Sequence, residues 1–182
     1  MRWLPNALTL LRLGSAPVLV WLLFQSRYRE ALALALVAGL TDWFDGYIAR
    51  RLGTGGAVGV VLDPLADKAL LVTLFLSFGL LGLIPMWMLV LAIGRDLIIV
   101  GGALLLRIFR GIRRFLPSLA GKVSTFFQIV LVLLVLLEAA FPHPLLRWLS
   151  DLALWLAALF TCVSGVDYIQ RGIGMARDAR KD

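Results

Sequence analysis

The stretch "TDWFDGYIARRLGTGGAVGVVLDPLADK", residues 41–68, sets Asp42, Asp45, Asp63 and Asp67 beside Arg50, Arg51 and Lys68 in a chain that is otherwise mostly leucine, alanine and valine. At 100° per residue, Asp42, Asp45, Gly46 and Ala49 share one stripe of a predicted helix. Gly59, Asp63 and Asp67, each four apart, share a stripe at the start of the next. The loop between the two helices is under about ten residues, which favours antiparallel neighbours whose ends meet, so the four carboxylates are expected to converge. Carboxylates gathered in a low-dielectric site repel one another and raise each other's pKa unless a cation is bound there.

The surroundings are predicted to be a membrane. Of 182 residues, 61% are hydrophobic and 16% charged, outside the range of ordinary soluble domains. A span needs about 20 mostly apolar residues. Six such segments are predicted, over residues 8–24, 31–49, 58–79, 83–106, 120–141 and 145–169. The predicted fold is therefore an all-α integral membrane bundle of six transmembrane helices forming a single domain over 1–182. The N-terminus lacks a cleavable signal pattern, because Pro5 and Arg12 interrupt it and the apolar run passes Phe24. Pro5 and Asn6 read as the start of the first helix, and the polar tail after Asp167 is expected to fray.

The net charge of +7 does not point to nucleic acid, since the cations are distributed by loop. Arg2, Arg12, Arg50, Arg51, Arg107, Arg110, Arg113, Arg114, Lys122, Arg171, Arg177, Arg180 and Lys181 fall at alternate ends of the spans; Arg27, Arg29 and Arg147 fall on the other side. By the positive-inside rule both termini are expected in the cytoplasm. Trp3, Trp21, Trp87 and Trp148 lie near span ends, as headgroup anchors do. Cys162 has no partner for a disulfide, and His143, between two prolines, reads as a surface residue.

All-oxygen ligands suit Mg²⁺ or Mn²⁺, with Ca²⁺ as another possible occupant, and two ions are expected among four aspartates. Gly46 and Gly59 allow close approach of a ligand to the backbone, Ala49 keeps the face shallow, and Arg50 offers a forked donor to phosphate. These residues describe a metal and pyrophosphate site. An intramembrane cation or proton transporter is the competing class, disfavoured because the aspartates lie at helix ends rather than between repeats at the midplane.

Asp42, Asp45, Gly46, Ala49, Arg50, Gly59, Asp63 and Asp67 fill every fixed position of D-x2-D-G-x2-A-R-x8-G-x3-D-x3-D. This resembles the signature of the CDP-alcohol phosphotransferase family, and "PNALTLLR" (5–12) is similar to the family's N-terminus. The resemblance implies that Asp42, Asp45 and Asp63 chiefly hold the metals. It implies that Asp67 takes the proton from the acceptor hydroxyl, with or without sharing a metal. It implies that Gly46, Ala49, Arg50 and Gly59 line the cytidine diphosphate of a CDP-linked donor such as CDP-diacylglycerol. Arg51 and Lys68 read as interface charges.

For the acceptor, "GRDLIIVGGALLLR" (94–107) and "LAGKVSTFFQI" (119–129) resemble the cardiolipin synthase branch, whose acceptor is phosphatidylglycerol. "SGVDYIQ" (164–170) resembles the phosphatidylglycerophosphate synthase branch at least as well, whose acceptor is glycerol 3-phosphate. Arg95 has two readings, a ligand for an acceptor phosphate or an ion pair with Asp96 or a motif aspartate. Arg110, Arg113, Arg114 and Lys122 are read as collectors of anionic substrate or as topology determinants. The resemblance also implies a homodimer, to which Gly101 and Gly102 are candidate contacts. The expected location is a bacterial inner membrane, with the site facing the cytoplasm as the cation distribution predicts.

Overall fold

The computed structural model describes residues 4–39, 59–110 and 118–178. Six helices and no strand occur among them: α1 (Leu4–Phe24), α2 (28–39), α3 (Gly59–Leu80), α4 (Met86–Arg110), α5 (Leu119–Ala140) and α6 (Pro144–Asp178). α5 and α6, the latter over Pro144–Met175, are long and apolar enough to cross a membrane; Gly14–Phe24 and Lys68–Leu80 are shorter apolar stretches.

The boundaries differ from expectation in ways that have physical causes. α1 begins at Leu4, so Pro5 sits inside the first turn and Asn6 is not the cap. Proline is tolerated there because the first-turn N–H groups have no helical partner in any case. α4 runs through Arg107 and Arg110, placing both on a helix rather than in a loop. α6 continues to Asp178 instead of fraying after Asp167. Asp167 accepts the Arg171 Nε–H at 2.9 Å one turn on, and Tyr168 is buried, which gives this segment local and tertiary support.

The chain divides into two compact units. One comprises the residues up to Ile84 together with Val135–His143. In it α1 packs on α3, with Leu19, Leu22 and Leu23 buried on one helix and Leu74, Phe75 and Phe78 on the other, each set at helical spacing. Both helices end on a left-handed residue. The Arg27 amide bonds Leu22 O and the Ser26 amide bonds Leu23 O, both at 2.9 Å, with Ser26 at φ 57°. After α3 the Leu83 amide bonds Phe78 O at 2.9 Å and the Gly82 amide bonds Gly79 O at 3.2 Å, with Gly82 at φ 70°. These are Schellman closures, which satisfy the last carbonyls and reverse the chain in a few residues. At the head of α2, Arg29 donates from Nε to Ala140 O at 3.2 Å and lies 5.0 Å over the Phe141 ring.

The second unit comprises Pro85–Leu134 and the residues from Pro144 onward. Trp87 meets Trp155, with ring centroids 5.6 Å apart, and Arg95 meets Ser164, so α4 and α6 run parallel. Ser118 meets Tyr168, Ser124 meets Thr161 and Phe127 stacks on Phe160, so α5 runs antiparallel to α6. The buried face of α6 is made of small or polar residues, Ala153, Ala157, Ala158, Thr161 and Ser164, whereas Leu152, Trp155, Leu159, Val163 and Val166 are exposed. Small residues inside let helix backbones approach closely, and a bulky apolar exterior suits hydrocarbon.

Candidate active site

α3 begins at Gly59 and carries Asp63 and Asp67 on its next two turns, which supplies the helical spacing that the motif requires. Asp42, Asp45, Gly46, Ala49 and Arg50 lie outside the described residues, as do Arg113 and Arg114. Among the described residues no group of three or more His, Cys, Asp or Glu side chains is placed to hold a metal. The chemistry of the expected donor set nevertheless fits a hard divalent ion, since it consists of carboxylates alone. Of the acceptor candidates, Arg110 is the last residue of α4 and Lys122 is exposed in the first turns of α5.

Among the described residues, Arg95 is the charged side chain that is buried. It is 6% exposed, and its partners come from three helices. Nε donates to Ser164 Oγ at 3.0 Å, Nη2 to the same oxygen at 2.7 Å and to Gly121 O at 3.3 Å, and Nη1 to Asp96 Oδ1 at 2.9 Å. The guanidinium carbon lies 5.7 Å from the centroid of the Tyr168 ring. The ion pair with Asp96 is the second of the two readings drawn from sequence. A buried guanidinium must meet most of its fixed fork of donors with acceptors, and here a hydroxyl, a carbonyl and a carboxylate do so.

Around this arginine lies a polar seam that the sequence reading did not pick out. Ser118, Ser124, Gln128, Thr161 and Ser164 are each at most 1% exposed. Ser124 Oγ and Thr161 Oγ1 are 3.2 Å apart, and Gln128 Nε2 donates to Thr161 Oγ1 at 3.2 Å. Ser118 caps α5: its Oγ accepts the Gly121 N–H at 3.0 Å, and its own N–H is donated to Tyr168 Oη at 3.1 Å. The signal was present as spacing, since Ser118, Gly121, Ser124 and Gln128 recur every three or four residues, as do Thr161, Ser164 and Tyr168. Polar stripes of this kind in apolar helices face other helices.

Residues 2–163 match the model of the CDP-alcohol phosphatidyltransferase family, and the chain belongs to that family. Curated relatives fall in two branches of it. The chain is 32% identical to a CDP-diacylglycerol–glycerol-3-phosphate 3-phosphatidyltransferase of Bacillus subtilis, over 92% of this chain and 94% of that one. It is 35% identical to a probable phosphatidylglycerophosphate synthase of Mycobacterium tuberculosis, over 93% and 81%. It is 32% identical to the CMP-forming cardiolipin synthase of Rattus norvegicus, over 93% of this chain but only 61% of the rat protein. The family and these relatives mark the chain as a CDP-alcohol phosphatidyltransferase enzyme of phospholipid biosynthesis.

Proposed function

We propose that the protein transfers the phosphatidyl group of CDP-diacylglycerol to a glycerol-type acceptor and releases CMP. The observation that carries this reading is the complete aspartate motif within the family match, its second half borne on the continuous helix α3. Asp42, Asp45, Asp63 and Asp67 would hold two divalent cations, Mg²⁺ or Mn²⁺. Such ions, when bound, neutralise the pyrophosphate and the charge that develops on departing CMP. Gly46, Ala49, Arg50 and Gly59 line the cytidine diphosphate. Asp67 accepts the proton of the acceptor hydroxyl as its oxygen bonds to the phosphorus bearing the diacylglycerol. The bond from that phosphorus to the oxygen of CMP breaks, and CMP carries away the negative charge.

The acceptor assigned first is phosphatidylglycerol, giving cardiolipin; what supports it is the Arg95–Asp96 pair with the next arginine, Arg107, twelve positions on. Glycerol 3-phosphate, giving phosphatidylglycerophosphate, is the second reading, favoured by "SGVDYIQ" and by the bacterial relatives. Arg110, Arg113, Arg114 and Lys122 are assigned to the anionic acceptor. Arg95, whose donors meet Ser164, Asp96 and Gly121, is assigned the ion-pair reading, holding α4 to α5 and α6. The bundle is assigned six spans, with the site and both termini cytoplasmic in a bacterial inner membrane, and a homodimeric state.

The test supplies purified protein in vesicles with CDP-diacylglycerol and either acceptor, identifying the product lipid by mass spectrometry. Cardiolipin from phosphatidylglycerol alone is the expected result. EDTA should abolish CMP release and added Mg²⁺ or Mn²⁺ restore it; release that survives chelation would remove the metal from the reading.

A further inference from the structure

Arg27 and Arg29 lie where α1 gives way to α2, and only one of them meets a carboxylate there. Arg27 donates from Nε and Nη2 to Glu30 Oε1 at 3.1 and 3.0 Å, so its charge is matched. Arg29 has no such partner among the described residues. Its Nε–H goes to Ala140 O, the last carbonyl of α5, at 3.2 Å, and its guanidinium carbon lies 5.0 Å from the centroid of the Phe141 ring. Carbonyls at a helix C-terminus carry partial negative charge and a ring face attracts a cation, so the guanidinium is held in place without being neutralised. Glu30 feels Arg29 only through space, as the smallest of the causes acting on its carboxyl. The four N–H groups on Nη1 and Nη2 of Arg29 have no acceptor among the described residues, and the residue is exposed.

The surroundings are those of a headgroup layer. Trp21, Phe24 and Phe141 are 53%, 53% and 47% exposed, and Arg27 lies 5.7 Å over the Trp21 ring. An exposed indole at the end of an apolar helix marks the boundary between hydrocarbon and headgroups, the depth at which lipid phosphates lie. All of these residues belong to one compact unit, and Arg27, Arg29 and Glu30 together leave one net positive charge. We propose that this corner binds one anionic phospholipid, whose phosphate accepts from the forked Nη1 and Nη2 donors of Arg29 and whose acyl chains lie against the exposed Trp21 and Phe24 of α1. A zwitterionic headgroup fits less well, because it brings a cation of its own to an arginine that is already unmatched. The lipid completes a tie between α2 and the end of α5, segments 111 residues apart in sequence. The inference rests on the chain being set in a bilayer, and on neither the reaction nor the leaflet.

The experiment titrates the purified protein in detergent with dioleoyl phosphatidic acid or dioleoyl phosphatidylcholine and counts bound lipids by native mass spectrometry. Wild type should hold one phosphatidic acid about fivefold more tightly than phosphatidylcholine, the effect of one arginine at an anionic surface. Arg29→Gln should remove that preference from one site. Glu30→Gln releases Arg27, so it should tighten phosphatidic acid by about two- to fivefold, and it carries the test if Arg29→Gln does not fold. Arg147→Gln, at an exposed arginine of the other unit, controls for charge in general and should change neither lipid. Phosphatidic acid binding that ignores both Arg29→Gln and Glu30→Gln, or that falls equally in Arg147→Gln, overturns the proposal, as does an equal loss for phosphatidylcholine. No acceptor or CDP-linked donor enters the assay, so a protein that released no CMP would remove the proposed reaction and leave this result standing.

Discussion

Ser164 Oγ on α6 accepts two hydrogen bonds from one arginine on α4, 3.0 Å from Arg95 Nε and 2.7 Å from Nη2. A side-on guanidinium grip of this kind uses one edge of the fork, leaving Nη1 for Asp96 and a second bond of Nη2 for Gly121 O. Ser164→Ala removes the shared acceptor without changing shape and leaves two donor contacts unmet. The expected loss is about 1–3 kcal/mol of stability, read as a lower thermal midpoint in detergent. Arg95→Lys should be as damaging, since an ammonium is a point donor that does not span both contacts. A lysine variant as stable as wild type would show that charge alone, not the fork, holds α4 to α6.

Asp67 is the proposed proton acceptor. Asp67→Asn is nearly isosteric but neither basic nor anionic, so transfer should be lost while the helical circular dichroism spectrum is kept. Near-normal turnover would remove Asp67 from the base role.

The two left-handed turns give an internal control on stability. Gly82 takes its φ of 70° at no steric cost, so Gly82→Ala should destabilise by about 1 kcal/mol. Ser26 adopts φ 57° with a side chain, so Ser26→Gly should be neutral or stabilising. Thermal unfolding of both variants checks the pair, and a stabilising alanine at 82 would contradict the turn geometry.

Glu30, in the first turn of α2 and outside the proposed spans, has its carboxyl held below the ordinary glutamate range. The main cause is a hydrogen bond to its own backbone, followed by Arg27, which donates at 3.1 and 3.0 Å. A depressed folded-state pKa means that the stabilisation is present above the unfolded glutamate pKa and is lost as pH falls through the folded one. Carboxyl NMR should show Glu30 titrating below its reference, and Arg27→Ala should move it up; a titration that ignores Arg27 would exclude the pair.

The helices were legible because long apolar runs leave no other economical backbone, and the aspartate motif was legible because its spacing carries chemistry at fixed positions. The ends were less so. Asn6 looks like a cap, yet Pro5 suits the first turn and the helix starts before both. The polar tail looks frayed, yet buried Tyr168 and the Asp167–Arg171 pair carry α6 to Asp178. Composition sees polarity, whereas the helix responds to what each residue touches. The seam of Ser118, Ser124, Gln128, Thr161 and Ser164 was hidden for a related reason: a lone serine in an apolar run has no meaning until its partner on another helix is known.

α6 passes the level of the α5 cap at Tyr168 and continues for ten residues to Asp178, about 15 Å of further helix. A spin label or fluorophore placed at Arg171 or Met175 would therefore ride on a lever anchored by Ser164 and Tyr168. Its distance changes would register tilting of that rod, not the wandering of a loose end.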